Sequence, residues 1–569
     1  MASTAMAAVR QTAPRAASAL AASVSRRPLS HTTVLPPISN EPVREYPPES
    51  EERMELLAAC ARVRSETVDI PCVINGKEVF TGNTIEQRAC SDHQHAVARV
   101  HLASPELIQE AIDTSLSVRE EWEQLDFEHR AAVFLKAADL LSTKFRNEVL
   151  AATMIGQGKN MFQAEIDAAA EAADFYRFGV KYANEIYAEQ PAHHAQHVWN
   201  RVEYRGLEGF VAGIPPFNFT AIGANLGATP AIMGNVVLWK PSENAALSNY
   251  VVFKALREAG LPDGVVNFVP AAGPTFGDKI VSSPDLAAIS FTGSTRTFNT
   301  LWKGVADNLD KYKTYPRLVG ECGGKNFHYV HNTADLDNAV YSTIRSAFEY
   351  QGQKCSACSR LYVPESMWPE FRDRMLDCMR DIQVGEPDDF KTFMTAVIDE
   401  KAFDKIVSYI NYAKESSEME VLAGGEADKS VGWFVQPTLV QSTNPHSKLM
   451  EEEIFGPVIT AYVYPDDQWE ETLDLVNKTS PYGLTGSIFS ADRSVIDTGL
   501  KKLRHAAGNI YINAKSTGSV VGQQPFGGAR RSGTNDKAGA SSYLARFTSM
   551  QAAKECLLYL DDWKYDHMK

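Results

Sequence analysis

The sequence lacks any long apolar segment, which argues against a membrane-spanning helix. A helix needs a run of about 18 apolar residues to cross a bilayer, and no run of this length occurs among the 569 residues. Basic residues are also fewer than acidic ones: the chain has 56 Lys and Arg and 71 Asp and Glu, so its net charge is −15. Phosphate backbones bind basic clusters, so we expect neither a nucleic-acid partner nor membrane insertion.

Cysteine is sparse as well, with eight residues scattered through the chain. Such a distribution in a large protein indicates reduced thiols rather than a disulfide framework. The composition is 44% apolar and 22% charged, as in ordinary globular proteins. The length is too great for one core and predicts about three or four domains.

The first forty residues contain no acid and no lysine but four arginines, and they are rich in Ala and Ser. This composition is typical of a mitochondrial transit peptide, which is removed after import. A disordered tail is the alternative. A secretory signal is disfavoured because no continuous apolar core is present.

Beyond the N-terminus, the pattern changes several times along the chain. We expect an extended arm over 41–65, a hairpin with its turn at Asn75-Gly76, and helices from 104 to 183. Residues 191–205 are polar and alternating, which suggests a protruding strand pair. Apolar strands then alternate with helices over 209–330 and again over 325–515, a rhythm that predicts parallel sheets covered on both faces.

The stretch EYQGQKCSACSR places Cys355 and Cys358 three residues apart behind a glycine. A zinc site would need a second pair of ligands, and none is found at a suitable spacing, so no metal is predicted. A redox pair would begin a helix, whereas this pair follows one. A single nucleophile on a tight loop and a buried, inert cysteine both remain open.

Two polar residues stand where strands are predicted to end. Glu321 precedes two glycines in LVGECGGKNF, which suits a general base but also a solvated turn. Asn218 follows a Pro-Pro turn in PPFNFT, where its amide could stabilise an oxyanion or could cap the next helix.

Signals for a nucleotide are weaker individually. The Gly293-Ser294 turn in FTGST lies between a strand and a helix, so that helix would direct its N-terminus at a phosphate. Lys240 and Glu243 in WKPSE follow another strand, where an acid suits ribose hydroxyls. An ordinary turn and an ordinary helix entrance explain these residues equally well.

Taken together, these motifs resemble the aldehyde dehydrogenase family. PFN, KPSE, FTGS, ECGGK, GQKC and EEIFGPV occur in the family's order, and the resemblance extends over about residues 60–555. It implies an α/β fold with a Rossmann-type NAD-binding domain, an α/β catalytic domain and a small β oligomerisation flap. NAD is the implied cofactor.

The resemblance also implies roles for individual residues. Cys355 is the implied nucleophile, Glu321 the general base, and Asn218 the oxyanion donor. The implied cofactor-binding residues are Pro215, Lys240, Glu243, Gly293, Ser294, Thr295, Glu453 and Phe455.

The blocks FEYQGQKCSACSRLYVP and KSTGSVVGQQPFGGARRSGTNDK resemble one branch of the family in particular. That branch oxidises L-glutamate γ-semialdehyde to L-glutamate in the mitochondrial matrix, the second step of proline breakdown. The implied substrate-binding residues are Ser356, Gly518, Ser519, Phe219 and Phe526. An enzyme of the same fold that uses another aldehyde, or CoA as acceptor, is the alternative, and a non-enzymatic protein on this fold is a more distant one.

The resemblance implies that the protein assembles into a homodimer or a higher homo-oligomer. It also implies how the chain is divided into domains and segments. The expected segments are a transit peptide and tail over 1–40, an arm and helical part of the NAD-binding domain over 41–186, an oligomerisation hairpin over 187–207, a Rossmann-like core over 208–320, a catalytic domain over 321–540 and a C-terminal oligomerisation segment over 541–569.

Overall fold

Apolar strands alternating with helices build two large sheets, each of seven strands. The structure is a computed structural model, and it describes residues 33–569. Most of the predicted transit peptide, residues 1–32, therefore lies outside the described residues. Within residues 33–569, we find no helix with both the length and the apolar character required to cross a membrane.

The strands are short, and most have two to eight residues. They are β1 Val68–Ile70, β2 Cys72–Ile74, β3 Lys77–Val79, β4 Thr84–Arg88, β5 Ala96–His101, β6 Val198–Arg205, β7 Phe210–Ile214, β8 Val236–Trp239, β9 Val266–Phe268, β10 Leu286–Thr292, β11 Arg317–Glu321, β12 Asn326–Val330, β13 Cys358–Pro364, β14 Met419–Ala423, β15 Ala427–Asp428, β16 Phe434–Val435, β17 Thr438–Ser442, β18 Val458–Tyr464, β19 Tyr482–Gly483, β20 Thr485–Phe489, β21 Asn509–Ile512, β22 Ala529–Arg530 and β23 Ser549–Cys556.

The α-helices pack on both sides of the large sheets. They are α1 Glu51–Ser65, α2 Pro105–Gln124, α3 Phe127–Ser142, α4 Arg146–Gln157, α5 Met161–Ala164, α6 Ala172–Ala188, α7 Thr220–Ile232, α8 Ala246–Ala259, α9 Gly273–Ser282, α10 Thr295–Ala306, α11 Leu336–Phe348, α12 Trp368–Asp381, α13 Glu400–Glu415, α14 Lys448–Glu451, α15 Trp469–Lys478, α16 Arg493–Lys502 and α17 Ser541–Ala545. A π-helical turn, Glu165–Glu171, joins α5 to α6.

The first sheet has the order β11-β10-β7-β8-β9-β2-β3. Its strands from β7 to β11 run parallel, and β2 and β3 add an antiparallel edge. β8 is buried at all four residues, as expected for a strand with helices on both faces. Because these strands are parallel, their carboxyl ends meet at one edge of the sheet.

The second sheet has the order β14-β17-β18-β13-β12-β20-β21. It is parallel except for β14, which pairs antiparallel with β17. The predicted α/β class is confirmed. The predicted hairpin is also present, since β2 and β3 are joined by Asn75 and Gly76 with φ values of 49° and 74°. Two consecutive positive φ values are typical of the turn that Asn-Gly favours.

The prediction of an extended arm over 41–65 is wrong for its second half, which forms α1. Ser50 caps this helix by accepting a hydrogen bond from the Arg53 N–H. Only Leu56, Ala59 and Cys60 are buried along it. So narrow an apolar face leaves little helical periodicity in the sequence, which explains the error.

The segment around 191–205 forms a single strand, β6, rather than a strand pair of its own. β6 pairs antiparallel with β23 near the C-terminus, from Val198 opposite Cys556 to Arg205 opposite Ser549. This two-stranded ribbon is separate from both large sheets. Its predicted role in assembly stays a prediction.

Candidate active site

One cavity brings the predicted nucleophile, base and substrate-binding residues together. Its volume is about 120 Å³. The predicted residues that line it are Phe219, Glu321, Cys355, Ser356, Gly518, Ser519 and Phe526. These positions span more than half of the chain, so only the folded arrangement of both sheets assembles the cavity.

A strained turn presents Cys355 to the cavity. After α11 the chain forms a short 3₁₀ turn, Glu349–Gly352, in which Tyr350 and Gln351 have φ values of 53° and 56°. Left-handed φ values are unfavourable for residues with a Cβ and recur where a site fixes the backbone. The chain then turns again at Cys355 before it enters β13.

The Cys355 thiol is protonated in this state. Burial, together with the nearby carboxylates of Glu321 and Glu453, raises the pKa of the thiol to about 12. A thiol is a weak nucleophile compared with its thiolate. Attack by Cys355 therefore requires a base, or a change in its surroundings when ligands bind.

Cys358 has a different environment from Cys355. It begins β13, it is buried, and its Sγ donates to the Arg360 carbonyl oxygen at 3.5 Å. Both cysteines are free thiols. Among residues 33–569, no group of three or more His, Cys, Asp or Glu side chains is arranged to hold a metal ion.

Glu321 ends β11 and extends its carboxyl group into the cavity. Burial raises the pKa of Glu321 well above its usual value, while the Gly528 N–H and Lys537 act in the opposite direction. The Oε2 atom accepts a hydrogen bond from the Gly528 N–H at 3.0 Å. A carboxyl group with a raised pKa is a stronger base once ionised, as general-base catalysis requires.

Glu321 is held by a segment from the other half of the chain. Residues 528–533 follow the second sheet, yet Gly533 forms a β-bridge with Glu321. The next residue, Cys322, donates its N–H to the Ser532 carbonyl oxygen at 2.8 Å. We call this contact region, residues 320–322 against 528–534, the seam, because it joins β11 of the first sheet to the chain beyond the second.

The two glycines after Glu321 allow a close approach of protein groups. A Cβ on Gly323 would lie 2.3 Å from Oε2 of Glu453, and a Cβ on Gly324 would lie 2.4 Å from the Cys355 carbonyl oxygen. Any larger residue would displace one of these groups. The ECGGK motif therefore packs Glu453 and Cys355 beside the strand that bears the base.

Asn218 does not cap the following helix. The N-cap of α7 is Phe219, and no side chain of the cap itself bonds to the helix. Instead the Asn218 Nδ2 donates to the Gln353 carbonyl oxygen at 3.0 Å, two residues before Cys355. The amide is thus buried two residues from Cys355 along the bonded segment, and it has a second N–H, the group that the predicted oxyanion role requires.

Hydroxyl groups cluster beside a glycine turn that lines the cavity. The Ser356 Oγ donates to the Thr517 Oγ1 at 2.8 Å, and the hydroxyls of Ser519 and Tyr511 lie 2.6 Å apart. Gly518 has a φ of 98°, which residues with a Cβ rarely adopt. Backbone N–H groups in such a turn form a concave surface that binds anions.

A buried carboxylate between two lysines also lines the cavity. Glu349 accepts from the Lys354 Nζ at 2.9 Å and from the Lys515 Nζ at 2.8 Å. Burial alone would raise the pKa of Glu349, but the two ammonium groups lower it to about 2. The cluster keeps a net positive charge and so favours an anionic ligand. Sequence reasoning missed Glu349 and Lys515, because nothing local indicates that they meet.

Other predicted residues lie at the carboxyl edge of the first sheet. Pro215 follows β7, Lys240 follows β8, and Gly293 follows β10, next to β11 and Glu321. The buried Lys240 ammonium donates to the Pro241 carbonyl oxygen at 3.2 Å. Glu243 is close enough to Lys240 to affect its pKa. Parallel α/β sheets bind nucleotides in the crevice outside this edge.

The turn at Gly293-Ser294 opens α10. The Ser294 Oγ accepts from the Thr297 N–H at 3.1 Å, and the Thr295 Oγ1 donates to the Arg531 carbonyl oxygen at 3.2 Å. The Gly293 N–H donates to the Glu321 carbonyl oxygen at 3.0 Å. The helix N-terminus that suits a phosphate is therefore bonded to the strand end that carries the base.

Glu453 and Phe455 complete the predicted set from the second half of the chain. The Glu453 Oε1 accepts from the Gly324 N–H at 2.8 Å, and burial raises the pKa of the carboxyl group. Phe455 has a φ of 63° and packs edge-to-face on Phe217, with 5.9 Å between the two ring centroids. Two carboxylates that suit ribose hydroxyls, Glu243 and Glu453, and a helix N-terminus that suits a phosphate fit a dinucleotide directed at Cys355.

Comparisons with known proteins agree with this arrangement. Residues 80–553 match the model of the aldehyde dehydrogenase family. The chain is 54% identical over 536 residues to the mitochondrial delta-1-pyrroline-5-carboxylate dehydrogenase of Dictyostelium discoideum, covering 94% of this chain and 96% of that protein. It is 54% identical over 540 residues to the protein of the same name from Homo sapiens, covering 95% and 96%.

A solved structure is similar over nearly the whole chain. The crystal structure of the delta-pyrroline-5-carboxylate dehydrogenase from Mycobacterium tuberculosis bound with NAD superposes with a TM-score of 0.91. The two sequences are 43% identical, and the match covers 95% of this chain and 99% of that one.

Proposed function

The chain belongs to the aldehyde dehydrogenase family, and from this premise we propose that it oxidises L-glutamate γ-semialdehyde to L-glutamate with NAD. The substrate forms by ring opening of Δ1-pyrroline-5-carboxylate. The observation that carries the proposal is the single cavity in which Cys355 and Glu321 face the Gly518-Ser519 turn. One end of this cavity suits an aldehyde, and the other suits a carboxylate.

The first step forms a covalent bond between Cys355 and the substrate. The Cys355 sulfur attacks the aldehyde carbon after losing its proton, and the carbonyl oxygen becomes an oxyanion. Asn218 donates a hydrogen bond to this oxygen, as does the backbone N–H of Cys355. Removing one such donor typically costs about 3 to 4 kcal/mol of transition-state stabilisation.

When bound, NAD would supply the hydride acceptor, and loss of hydride from the substrate carbon would leave Cys355 holding a thioester. The residues that would hold NAD are Lys240 and Glu243 at one ribose, the Gly293-Ser294-Thr295 turn at the pyrophosphate, and Glu453 at the other ribose, with Pro215 and Phe455 packed against it. The positions of Pro215, Lys240 and Gly293 after three parallel strands of the first sheet support this assignment.

The last step releases the product by hydrolysis. Glu321 removes a proton from water, the water oxygen attacks the thioester carbon, and the carbon–sulfur bond breaks. L-glutamate leaves as a carboxylate, and the Cys355 thiolate is restored. The raised pKa of Glu321 supports this role, because a carboxylate with a higher pKa takes up a proton more readily.

Substrate choice depends on the end of the cavity opposite Cys355. We assign the α-carboxylate to the backbone of Gly518 and to the hydroxyls of Ser519 and Ser356, with Phe219 and Phe526 beside the aliphatic chain. The lysines bound to Glu349 add positive potential there. A simple aliphatic aldehyde would make none of these polar contacts.

The proposal is tested by a steady-state assay of the purified protein. We expect NADH formation from Δ1-pyrroline-5-carboxylate with NAD, much slower reduction of NADP, and L-glutamate as the product with or without CoA. Absence of NADH with this substrate, or a strict need for CoA, would reject the assignment.

Replacing Ser519 by alanine is expected to weaken recognition of the carboxylate. A hydrogen bond to a charged group contributes about 1.5 to 3 kcal/mol. The value of kcat/KM for the semialdehyde should therefore fall about 10- to 100-fold, with little change for propanal. Ser516→Ala is the matched control, because the Ser516 hydroxyl bonds to His328 and Ser346 within the protein. Equal losses with both aldehydes would contradict the role of Ser519.

The relatives from Dictyostelium discoideum and Homo sapiens are named as mitochondrial proteins, and we propose the mitochondrial matrix as the location of this chain. Support comes from residues 1–40, which are basic and free of acids. The mass of the mature protein recovered from the matrix would test this. A chain found intact outside mitochondria would contradict it.

We propose that the ribbon of β6 and β23 joins subunits into a homodimer or a larger homo-oligomer. An isolated two-stranded ribbon is only marginally stable in water. Several large apolar side chains after β23 are also exposed in the single chain. They are Leu557, Leu558, Tyr559, Leu560 and Trp563.

Removal of residues 557–569 is expected to yield monomers, as measured by light scattering at micromolar concentration. Substitution of Tyr412, which is 41% exposed on α13, by serine is the control and should leave the mass unchanged. A truncated chain that still assembles would exclude this segment as the main contact.

We also propose that the chain is divided into functional domains, and that each large sheet forms the centre of one domain. Residues 208–320 form the Rossmann-like core, 41–186 supply its arm and helices, and 321–540 form the catalytic domain. The hairpin over 187–207 and the segment over 541–569 serve assembly.

A further inference from the structure

A fully buried ion pair lies behind the turn that carries Asn218. Lys159 and Asp167 have side-chain exposures of 0% and 1%, and Nζ lies 2.8 Å from Oδ2. Lys159 follows the glycine that ends α4, and Asp167 lies in the π-helical turn. Burying two charges is costly unless further bonds compensate, so the contacts of this pair indicate what it does.

Asp167 bonds to the first two N–H groups of α7. Its Oδ2 accepts from the Thr220 N–H at 2.9 Å, and its Oδ1 accepts from the Ala221 N–H at 2.8 Å. These N–H groups have no partner inside the helix, and a negative charge at a helix N-terminus is favourable. The cap that α7 lacks locally is thus supplied from another segment, directly after Asn218 and Phe219.

Lys159 contacts the aromatic residues on each side of the site. Its Nζ lies 3.8 Å from the ring centroid of Phe219 and 4.6 Å from that of Tyr350. Both distances are within the range of a cation–π interaction. Phe219 lines the cavity, and Tyr350 belongs to the strained turn that leads to Cys355.

Gln157 bonds to both ends of the turn that carries Asn218. Its Nε2 donates to the Phe217 carbonyl oxygen at 2.7 Å, and its Oε1 accepts from the Thr220 hydroxyl at 3.1 Å. The Gln157 carbonyl oxygen accepts from the Tyr350 hydroxyl at 3.0 Å. The backbone on both sides of Asn218 is therefore bonded to residues that follow α4 or end it.

We propose that Lys159 and Asp167 are positioning residues that hold Asn218 at the oxyanion and Phe219 at the cavity wall. The inference rests on the proposed function, because it assumes that Asn218 stabilises the oxyanion. The ion pair acts through α7 and the Phe219 ring and takes no part in proton transfer. A misplacement of about 1 Å in a reacting group can reduce the rate about 100-fold.

The experiment compares Asp167→Asn and the double variant Lys159→Met/Asp167→Asn with wild type. Asp167→Asn leaves the Lys159 charge buried without its partner, whereas the double variant removes both charges. Replacing a buried pair by neutral groups is often tolerated, while breaking it is not. We expect a lower melting temperature for the single variant, and substantial recovery for the double variant.

Activity should not recover with stability. We expect kcat with the semialdehyde to fall about 100-fold in both variants, because neither holds the turn with a carboxylate. The dissociation constant for NAD and the rate of alkylation of Cys355 by iodoacetamide should stay within about threefold of wild type. Asn218 acts on the substrate oxygen and not on the thiol, so a positioning defect spares both quantities.

Glu165→Gln is the matched control. Glu165 belongs to the same π-helical turn, is equally buried, and pairs with the buried Arg146, but it faces Tyr46 in the N-terminal arm. This variant should lose stability and keep the wild-type kcat. Should both Asp167 variants precipitate, Lys159→Met supplies the test, with an expected fall in kcat of about tenfold.

A wild-type kcat in any folded variant of the pair would overturn the inference, as would activity that returns together with stability in the double variant. A kcat loss in Glu165→Gln as large as in Asp167→Asn would also overturn it, since stability alone would then explain both. These outcomes differ from failure of the proposed function, in which the wild-type protein itself forms no NADH from the semialdehyde.

Discussion

Replacing Cys355 by alanine is expected to abolish NADH formation, whereas replacing Cys358 by alanine should leave most of it. The loss at Cys355 should exceed about 10³-fold, since no other group supplies the covalent step. Cys358 begins a strand, and its sulfur is bonded to the Arg360 carbonyl oxygen. Its removal should cost some stability through a small cavity in the core without affecting the reaction.

Intact-mass analysis makes the test independent of rate. After mixing with the semialdehyde and NAD, the wild-type protein should carry a transient acyl adduct on the peptide that contains Cys355. The Cys355→Ala protein should carry none, although it should bind NAD normally. Equal losses of activity from the two substitutions, or an adduct on another residue, would contradict the role of Cys355.

Replacing Glu321 by glutamine is expected to stop turnover after hydride transfer, before the thioester is hydrolysed. General-base catalysis contributes about 10²- to 10⁴-fold, and the steady-state rate should fall within that range. The thioester should still form, so rapid mixing should give a burst of up to one NADH per site followed by a slow phase. Loss of the burst together with the steady rate would show that Glu321 is also needed before hydride transfer.

The same residue sets the expected dependence on pH. Burial raises the pKa of Glu321 well above its usual value, and only the ionised form can accept a proton from water. The value of kcat should therefore decrease as pH falls through this raised pKa, at a pH well above 4.5. The Glu321→Gln protein should lack this dependence in its slow phase.

Glu123→Gln is the control for the pH profile. Burial also raises the pKa of Glu123, which pairs with Arg119 at 2.8 Å on the surface of α2. Because Glu123 does not line the cavity, its substitution should leave the profile unchanged. A profile that shifts in this control would mean that titration outside the cavity controls the rate.

The positions at strand ends were predictable from the sequence for a physical reason. Continuous apolar strands alternating with helices indicate a parallel sheet, and such a sheet gathers its carboxyl ends at one edge. Lys240, Gly293 and Glu321 each follow a strand in the sequence, so their common edge could be inferred. The motif order of the family then suggested a role for each of them.

The contacts between distant segments were not predictable. Glu349 meets Lys515 across 166 positions, and Asp167 caps a helix that begins 53 positions later. No local pattern marks such pairs, because each residue alone has the sequence appearance of a solvated charge. Cys355 and Cys358 likewise look equivalent in sequence, and only the turn after α11 distinguishes them.

The seam between Glu321 and residues 528–534 has a consequence for variants far from the cavity. The proposed base, Glu321, ends a strand of one sheet, and the proposed nucleophile, Cys355, precedes a strand of the other, so their separation depends on how the two sheets dock. A substitution that shifts this docking by a fraction of an ångström would slow deacylation in a protein that folds, binds NAD and retains every reacting group. Inherited or engineered substitutions along this contact would then reduce the measured activity as active-site substitutions do, although every residue of the active site is unchanged.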